Sequence, residues 1–331
     1  MKIGGNANYV ADVTSTDELQ HVYQNSKKIN QPTYVIGGGS NLIAHDEGFP
    51  GIIIHNKIMG IKILDDNPTS TTIEAGGGES WDGLVKYTVD LELSGIEAMS
   101  GIPGTVGAAP VQNIGAYGQE IANTFVSLEA YDTQSDSFVV LKWDDCGFSY
   151  RTSIFRTTQI GRYIITKVTL TLNKKLPEPP FYDALEKHFA EKQIDPSTAT
   201  VQMVRDAVLS IRSDKLPDPA KLPNTGSFFK NAIVEKWKAE DLLKTYDTMP
   251  SYPVDEGHVK IPSGWLIEMA DLKGEILHGM RVHTGNAVVL INESATSYSD
   301  LAAAREEIIS QIRDKFQIII EQEPLELEAR P

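Results

Sequence analysis

The chain has 331 residues, 41% of them hydrophobic and 23% charged, so it is long enough for two or three domains with buried cores. Its 30 Lys and Arg against 45 Asp and Glu give a net charge of −15, which argues against nucleic acid as a partner. The single cysteine, Cys146, excludes an intrachain disulfide and a thiolate zinc site, so no metal and a reducing, cytoplasmic location are expected. No apolar run approaches the roughly 18 residues of a membrane span, and no membrane insertion is expected.

Residues 1–58 have the sequence pattern of a small α/β unit. The segment STDE at 15–18 has the form of a capping box, and apolar residues follow at helical spacing, which predicts a helix from about Thr16. The predicted strands are 34–36 and 51–54. The glycine-rich run GGGSN at 37–41 follows the first strand directly, so its turn is the first candidate site.

Residues 59–172 have the pattern of an α+β region, with one helix after Ser80 and several short strands. The predicted strands are 72–75, 126–131, 138–141 and 163–172. Among them, 95–118 carries six glycines and two prolines, so it cannot be regular structure throughout. Turn-rich segments of this length inside a domain are usually functional.

The rest of the chain contains an excursion and a third region. Several prolines interrupt 174–200, which predicts an excursion, a segment that leaves the preceding domain. A helix is predicted over 201–211 because its apolar residues share one face. The other predicted helices are near 234–243 and 264–270, with a last helix that opens at Ser297. The predicted strands are a buried one at 287–291 and a closing one at 318–320, which could return to the first domain.

The glycine-rich turn after the first strand has two interpretations. Consecutive glycines expose backbone N–H groups in conformations that only glycine adopts cheaply, and such a nest binds phosphate. A dinucleotide fingerprint would need glycine where Leu42 stands, so the sequence is a weak match to a nicotinamide-binding Rossmann motif. On this segment alone, a tight turn with no ligand is equally compatible.

The segment GIPGTVGAAPVQNIGAYG at 101–118 is far more specific. Its small residues let the backbone pack on a flat ligand, while Gln112 and Asn113 offer donors and acceptors to the edge of a heterocycle. The segment resembles, nearly residue for residue, the flavin-binding signature of the UDP-N-acetylenolpyruvoylglucosamine reductase family, the MurB family. The resemblance continues in the family's order through GFSYRTSIF at 147–155, KLPDP at 215–219, TGSFFKN at 225–231 and GWLI at 264–267.

The resemblance implies an α+β protein with the two-subdomain flavin-binding fold of FAD-linked oxidases and a C-terminal α+β substrate domain. The implied subdomains are 1–58, joined by a returning strand at 317–331, and 59–212; the implied substrate domain is 213–316. FAD is expected between the two subdomains, without a covalent bond because 37–41 contains no histidine. The implied cofactor-binding residues are Gly37, Gly38, Gly39, Ser40, Asn41, Leu42, Ile102, Pro103, Gly104, Gly107, Gln112, Asn113, Gly115, Ala116 and Tyr117.

The resemblance also implies a reaction, the NADPH-dependent reduction of UDP-N-acetylglucosamine enolpyruvate to UDP-N-acetylmuramate in peptidoglycan synthesis, which serves cell shape and division. Hydride addition to an enol ether develops negative charge beside the carboxylate. A nearby arginine and a hydrogen-bonded carboxylic acid can stabilise that charge, and a hydroxyl can protonate the adjacent carbon. The family motifs assign these roles to Arg151, Glu323 and Ser227. Glu321, two residues away on the same strand face, is the alternative to Glu323.

The resemblance is to the subgroup in which an extra loop carries a tyrosine over the bound nucleotide. Here that loop is 177–200 and its tyrosine is Tyr182. Lys215 and Asn231 match positions that hold the diphosphate and neighbouring groups of the substrate. Arg212 either joins them or is a charge at a helix C-terminus. The expected partners are small molecules, a UDP-sugar and NADPH, and the protein is expected to be a monomer.

Two other functions are compatible with the sequence. An FAD-linked oxidase of the same fold would act on another substrate, would not need Ser227 and would react with oxygen. A non-enzymatic nucleotide-binding protein would not be yellow when purified. NADH in place of NADPH also stays open. The family's short extension ahead of Met1 is lacking, so a clipped first strand is expected.

Overall fold

The computed structural model describes residues 1–327, whose internal contacts divide them into two compact units. The large unit comprises 7–40 and 50–212, and the small unit comprises 1–6, 41–49 and 213–327. Each unit combines segments that are distant in the sequence. The division into 1–58, 59–212 and 213–316 stays a prediction.

Strands and helices alternate irregularly along the chain. The strands are β1 (Ala7–Val13), β2 (Thr33–Ile36), β3 (Leu42–Ala44), β4 (Phe49–Asn56), β5 (Ile61–Asp66), β6 (Ser70–Gly76), β7 (Gly115–Ala116), β8 (Gln119–Glu120), β9 (Phe125–Asp132), β10 (Ser137–Lys142), β11 (Tyr163–Asn173), β12 (Ala232–Glu235), β13 (Tyr252–Pro253), β14 (His258–Ile261), β15 (Ile276–Leu277), β16 (Met280–Val282), β17 (Leu290–Asn292) and β18 (Leu325–Leu327). The α-helices are α1 (Thr16–Lys28), α2 (Trp81–Asp90), α3 (Trp143–Cys146), α4 (Asp183–Glu191), α5 (Val201–Lys215), α6 (Lys236–Leu243), α7 (Ser263–Met269) and α8 (Tyr298–Phe316).

Helix α1 begins where its capping residues predict. The hydroxyl of Ser15 accepts a hydrogen bond from the amide of Glu18 at 3.1 Å, and the Glu18 carboxylate accepts one from the amide of Thr14 at 2.8 Å. The first bond satisfies one of the amides that a helix N-terminus leaves without a partner inside the helix. Leu19 on the apolar face is fully buried. The predicted start of this helix is confirmed.

The large unit is built around two sheets. In the five-stranded sheet the order is β10-β9-β11-β6-β5 and every neighbouring pair is antiparallel. Helix α2 contributes the fully buried side chains of Trp81 and Leu84 to the core of this sheet, together with Leu128 and Val168 from the strands. The three-stranded sheet has the order β1-β4-β2, with β2 and β4 parallel. Its strand β1 has seven residues.

The small unit packs three sheets on helices α6, α7 and α8. Its sheets have the orders β12-β14-β13, β15-β16-β17 and β18-β3, the last of them parallel. Helix α8 opens after Ser297, whose hydroxyl accepts from the Asp300 amide at 3.1 Å while the Asp300 carboxylate accepts from the Ser297 amide at 3.1 Å. This reciprocal cap confirms the predicted start. Ile308, Ile312 and Phe316 then face the core.

The closing strand is displaced from its predicted place. Residues 318–320 belong to no strand, although Ile318 and Ile320 are buried and Ile319 is exposed, as the alternation suggests. The ladder instead forms at β18, where Leu325 lies opposite Leu42 of β3. The prediction of 318–320 was wrong because alternating burial needs only an extended chain, whereas a ladder needs a partner strand. Of the predicted returning segment 317–331, residues 328–331 lie outside the described part.

Three further predictions need correction. Residues 232–235 form a strand that pairs with β14, so helix α6 begins at Lys236 and not near Val234. Only the end of 287–291 is strand, because β17 begins at Leu290. The excursion 174–200 contains a regular element, helix α4, whose Leu185 and Phe189 are buried against α5. Short apolar runs do not distinguish a strand from a helix without knowledge of their tertiary partners.

Candidate active site

Two glycine-containing turns of the large unit lie against each other. A Cβ atom added to Gly37 would lie 2.1 Å from the hydroxyl oxygen of Thr105, and one added to Gly38 would lie 3.2 Å from the Cα atom of Gly104. Gly37 therefore cannot be replaced without displacing Thr105. Gly39 has a φ of +65°, in the left-handed region that glycine adopts at low cost. The structure thus brings together the two segments that the sequence singled out, the turn after β2 and the run that begins at 101.

Thr105 carries a buried polar atom that the described residues do not satisfy. Its hydroxyl oxygen has no hydrogen-bond partner within residues 1–327. A buried hydroxyl in this state costs about 1–3 kcal/mol, so a polar ligand atom beside it would be stabilising. Thr105 was not among the predicted site residues. A threonine in this segment carries no sequence signal for ligand binding, and only its contact with Gly37 in the structure identifies it.

Gly107 approaches the backbone of another glycine. Its amide donates to the carbonyl of Gly77 at 2.8 Å, and a Cβ atom on Gly107 would lie 3.0 Å from the Cα atom of Gly77. The amide of Gly77 donates in turn to the carbonyl of Thr166 on β11 at 2.7 Å. The absence of a side chain at 107 is therefore required by packing inside the large unit.

Asn113 is a structural anchor in the same motif. The residue is fully buried and has a φ of +46°, which asparagine tolerates better than most side chains. Its amide nitrogen donates to the carbonyl of Ser149 at 3.1 Å, and its amide oxygen accepts from the Ala122 amide at 3.2 Å. The side chain thereby fixes the backbone two residues before Arg151.

Arg151 lies at the tip of a tight turn. The backbones of Ser149 and Thr152 exchange two hydrogen bonds, of 3.1 and 3.0 Å, and Arg151 between them has a φ of +52°. A non-glycine residue in this region carries backbone strain, which is frequent at functional sites. The guanidinium donates to the carbonyl of Gly115 at 2.5 Å and lies over the ring of Tyr150 at 5.4 Å from its centroid. A buried asparagine, a turn and a glycine carbonyl thus fix the direction of this cation.

A partly buried ion pair supports the turn at 101, and no sequence pattern indicated it. Arg205 on α5 bonds both carboxylate oxygens of Asp82 at 2.6 and 2.9 Å and the hydroxyl of Ser100 at 3.0 Å. The same carboxylate accepts from the Gly101 amide at 2.6 Å. Asp82 and Arg205 are 123 positions apart, so only the fold could reveal their contact.

Arg212 lies on the same face of α5 as Arg205, two turns further on. A Cβ atom on Gly101 would lie 3.1 Å from its Nε atom. Burial lowers the pKa of Arg212, and the nearby Tyr117 and Asp82 act in the opposite direction. Within the described residues no carboxylate forms an ion pair with it. Arg212 is therefore a cation suited to an anionic ligand.

We expect Arg205→Met to destabilise the protein by about 1–3 kcal/mol, because it leaves a half-buried carboxylate and the Ser100 hydroxyl with fewer partners. Urea unfolding measures the loss. Lys86→Met is the matched control: Lys86 pairs with Asp90 on the exposed surface of α2, and such a pair contributes about 0.3–0.5 kcal/mol. Equal losses in the two variants would refute the structural importance of the partly buried pair.

The same pair predicts a pH dependence. The hydrogen bond from Arg205 is the main cause that holds the pKa of Asp82 below its usual range, while burial opposes it. A carboxyl with a lowered folded-state pKa stabilises the fold above its unfolded-state pKa of about 3.9 and loses that contribution as the pH falls through the folded-state value. The stability difference between wild type and Arg205→Met should therefore shrink on acidification below about pH 4.

Tyr182 precedes helix α4 and is 47% exposed. Its ring makes an edge-to-face contact with Tyr117, with centroids 5.9 Å apart and an interplanar angle of 86°. Burial raises the pKa of Tyr117, and Arg212 opposes this shift. Tyr182, Tyr117 and Arg212, which were predicted separately, therefore belong to one neighbourhood of the large unit.

Ser227 lies in the small unit on a short extended segment with partners on both sides. Its backbone bridges that of Val289, and the next amide, of Phe228, donates to the carbonyl of Val288 at 2.7 Å. The carbonyl of Phe228 accepts from the amide of Glu323 at 2.8 Å. The half-buried hydroxyl of Ser227 has no hydrogen-bond partner within residues 1–327. The structure thus brings together two of the predicted catalytic residues, Ser227 and Glu323.

The two candidate carboxylates differ in their surroundings. Glu321 is largely exposed and pairs with the Nζ atom of Lys230 at 2.9 Å. Glu323 is half-buried, beside the segment that carries Ser227. The ion pair with Lys230 already occupies one oxygen of the exposed Glu321 carboxylate. The geometry therefore favours Glu323.

The remaining predicted residues, Asn231 and Lys215, lie at element boundaries of the small unit. The side-chain oxygen of Asn231 accepts from the amide of Ser263, the first residue of α7, at 3.2 Å. Lys215 is the exposed last residue of α5. The amide nitrogen of Asn231 and the ammonium of Lys215 can both donate to phosphate oxygens.

Two sequence models of protein families match the chain. Residues 7–139 match an FAD binding domain, and residues 218–326 match the C-terminal domain of UDP-N-acetylenolpyruvoylglucosamine reductase. The fold and the two matches define the class: an α+β flavoprotein whose FAD-binding domain precedes a C-terminal domain. The predicted α+β fold with FAD as its cofactor is thereby confirmed.

Curated relatives identify the family within this class. The enzymes named UDP-N-acetylenolpyruvoylglucosamine reductase from Neisseria gonorrhoeae and Amoebophilus asiaticus are 39% and 36% identical to the chain. The alignments cover 93% and 97% of the chain and 88% and 94% of those proteins. The chain belongs to the UDP-N-acetylenolpyruvoylglucosamine reductase family, and the resemblance of its motifs is confirmed.

A solved structure shows the same fold. UDP-N-acetylenolpyruvylglucosamine reductase (MurB) from Thermus caldophilus matches 96% of this chain and 92% of its own, with a TM-score of 0.62 and 21% sequence identity. In residues 1–327, no helix is both long and apolar enough to cross a membrane. The same residues contain no group of three or more His, Cys, Asp or Glu arranged to hold a metal ion.

Proposed function

We propose that this protein reduces UDP-N-acetylglucosamine enolpyruvate to UDP-N-acetylmuramate, with NADPH as the electron donor and FAD as the bound cofactor. Family membership supports the substrate and the reaction type. The observation that carries the proposal is the backbone hydrogen bond from the amide of Glu323 to the carbonyl of Phe228, which joins the segments that carry the Glu323 carboxylate and the Ser227 hydroxyl. Such a pair serves a reaction in which a carbon must be protonated next to a developing negative charge.

The large unit fits the cofactor. The turn after β2 lacks side chains at three successive positions, and a Cβ atom added to Gly39 would meet nothing within 4 Å, so its backbone amides are suited to a phosphate. FAD, when bound, would take two electrons from NADPH and pass them as hydride to the terminal methylene of the enolpyruvyl group. We propose that the holding residues are Gly37, Gly38, Gly39, Ser40, Asn41, Leu42, Ile102, Pro103, Gly104, Gly107, Gln112, Asn113, Gly115, Ala116 and Tyr117, with Thr105 added and Asn113 acting through the backbone that it fixes.

Three side chains have proposed chemical roles. Arg151, whose direction is fixed by the carbonyl of Gly115, would stabilise the negative charge that develops on the substrate carboxylate. The Ser227 hydroxyl would give its proton to the carbon that bears this carboxylate. Glu323, rather than Glu321, would support the enolate as a hydrogen-bonded acid.

Four more side chains would bind the sugar nucleotide. Arg212, Lys215 and Asn231 supply donors for the diphosphate, and Tyr182 would cover the nucleotide from the start of α4. We also propose that the protein works in the cytoplasm as a monomer. The single cysteine suits a reducing compartment, and sedimentation of the FAD-loaded protein tests the monomeric state.

We expect Tyr182→Phe to raise KM for the UDP-sugar more than it lowers kcat, because a covering side chain contributes binding rather than chemistry. Steady-state kinetics with the UDP-sugar varied at saturating NADPH measure both parameters. Tyr9→Phe, an exposed tyrosine on β1, is the matched control and should change neither. A fall in kcat equal to the rise in KM, at unchanged binding, would contradict the role as a cover.

Anaerobic mixing tests the proposed function. NADPH alone should bleach the flavin absorbance, and UDP-N-acetylglucosamine enolpyruvate should then restore it with formation of UDP-N-acetylmuramate. Oxygen in place of the sugar nucleotide should restore it far more slowly; rapid restoration by oxygen with none by the UDP-sugar would support an oxidase. Bleaching that requires the UDP-sugar to be present first would contradict the two-step scheme. NADH in a parallel syringe compares the two donors.

A further inference from the structure

Glu326, three residues after the proposed acid, accepts four side-chain hydrogen bonds. One carboxylate oxygen accepts from the Nε2 atom of His45 at 2.9 Å and from the hydroxyl of Tyr298 at 2.8 Å. The other accepts from Arg305 at 2.5 Å and from the Gln322 amide at 3.3 Å. The Glu326 side chain is 19% exposed. Nothing in the proposed chemistry uses it, although a carboxylate with this many partners strongly fixes its surroundings.

The cluster remains charged near neutral pH. Burial opposes ionisation of Glu326, but the hydrogen bonds from Tyr298, His45 and Arg305 outweigh it and lower the pKa of this carboxyl. The rings of His45 and Tyr298 stack with centroids 3.8 Å apart, which restricts both donors. Arg305 lies on α8, one of the core helices of the small unit, so its ion pair anchors the Glu326 side chain to that helix.

The same cluster restrains both neighbours of Glu323. Arg305 donates to the side-chain oxygen of Gln322 at 2.8 Å, and the Gln322 amide nitrogen donates to the carbonyl of Pro324 at 2.8 Å. Gln322 and Pro324 flank Glu323 in the sequence. The network therefore spans the backbone of the proposed acid from one side to the other.

The backbone of this segment joins two parts of the proposed site. The amide of Glu323 donates to the carbonyl of Phe228, next to Ser227, at 2.8 Å. The amide of Leu325 donates to the carbonyl of Asn41, the last residue of the glycine-rich run, at 3.0 Å. A shift of this segment would move the acid relative to the serine within the small unit.

We propose that Glu326 and Arg305 are positioning residues, which hold Glu323 at the place from which it acts on the substrate. This inference rests on the proposed function of Glu323. Catalytic groups lose rate steeply with small displacements, and a misplacement of about 1 Å can cost about 100-fold. The effect is confined to the half-reaction with the UDP-sugar, because Glu323 has no proposed role in the transfer from NADPH.

The experiment uses the FAD-loaded enzyme with Glu326→Gln, which keeps the shape of the side chain and removes its charge. The flavin should be bleached by NADPH at the wild-type rate, and the UDP-sugar should restore it about 10- to 100-fold more slowly. Glu307→Gln is the matched control: Glu307 also lies on α8 and pairs with a histidine, His278, at 3.0 Å, without a contact to 321–327 among its hydrogen bonds. Its two half-reactions should both match the wild type.

A double-mutant cycle separates positioning from simple stabilisation. If Glu326 acts through Glu323, Glu326→Gln should add little to the loss already caused by Glu323→Gln. If Glu326 only stabilised the fold, Glu326→Gln would slow the double variant further and would slow both half-reactions. Tyr298→Phe removes one bond and keeps the ring stacking, so it gives a smaller loss in the same half-reaction and decides the matter if Glu326→Gln does not fold.

Two outcomes have different meanings. A wild-type rate of flavin restoration in Glu326→Gln and Tyr298→Phe, with Glu323→Gln slow, would overturn the positioning role and leave the proposed function intact. A wild-type rate in Glu323→Gln itself would remove Glu323 from the proposed chemistry, and the positioning role with it.

Discussion

Replacement of Ser227 by alanine should slow the half-reaction with the UDP-sugar by about 10²–10⁴-fold, because the carbon next to the carboxylate loses its proton donor. Bleaching of the flavin by NADPH should stay near the wild-type rate, since no enolate forms in that step. Anaerobic stopped-flow mixing, in two sequential steps, measures each rate by the flavin absorbance. The Ser227 hydroxyl has no partner within residues 1–327, so its loss breaks no hydrogen bond among them.

Ser227→Cys supplies the companion variant, because a thiol has the same position as the hydroxyl on Cβ, with a larger atom, and is a stronger acid. It should recover part of the lost rate. In heavy water the wild type should place deuterium on the carbon that bears the carboxylate, and the hydrogen transferred from the flavin should appear in the neighbouring methyl group. Ser227 would not be the donor if Ser227→Ala restored the flavin at the wild-type rate or slowed only its reduction by NADPH.

Arg151→Met should slow the same half-reaction by about 10²–10³-fold, because the developing charge loses a fixed cation. The rate of Arg151→Lys should lie between those of the wild type and Arg151→Met. The ammonium of lysine keeps the charge but lacks the planar fork that bonds the Gly115 carbonyl. Both substitutions keep a non-glycine residue at a φ of +52°, so the backbone strain is the same in the two variants. The difference between their rates therefore comes from the side chain.

Single-turnover rates at saturating UDP-sugar distinguish this role from binding alone. A variant that merely binds the substrate carboxylate less tightly would recover the wild-type rate at high concentration. Arg151→Met should not recover, because its loss lies in the transition state. Recovery at saturation, or a rate for Arg151→Lys equal to that of Arg151→Met, would argue against charge stabilisation.

The elements that the sequence predicted well are those whose signals are local. The starts of α1 and α8 depend on Ser15 and Ser297, whose hydroxyls bond amides three residues away. Such a cap forms wherever a helix follows, so its pattern can be recognised without the fold. The 101–118 motif could also be recognised from the sequence, because its small residues are those that pack against a backbone or a flat ligand.

The features that the sequence missed depend on distant partners. The strand β18 exists because β3 lies beside it, and the run 318–320 carried a stronger local signal for a strand. The pair of Asp82 and Arg205 and the cluster around Glu326 join side chains from separate elements. Ion pairs of this kind have no sequence period, so composition could not reveal them.

The pairing of β3 with β18 sets an order of assembly during synthesis. These strands come from opposite ends of the chain, whereas every described residue of the large unit has been made by residue 212. At about 5–20 residues per second the ribosome needs on the order of ten seconds more to reach β18. During that interval the segment 41–49 lacks its partner strand, and its apolar Ile43 lacks the core neighbours that bury it in the folded protein. A nascent chain can therefore acquire its flavin-binding unit well before the carboxylate of Glu323 exists.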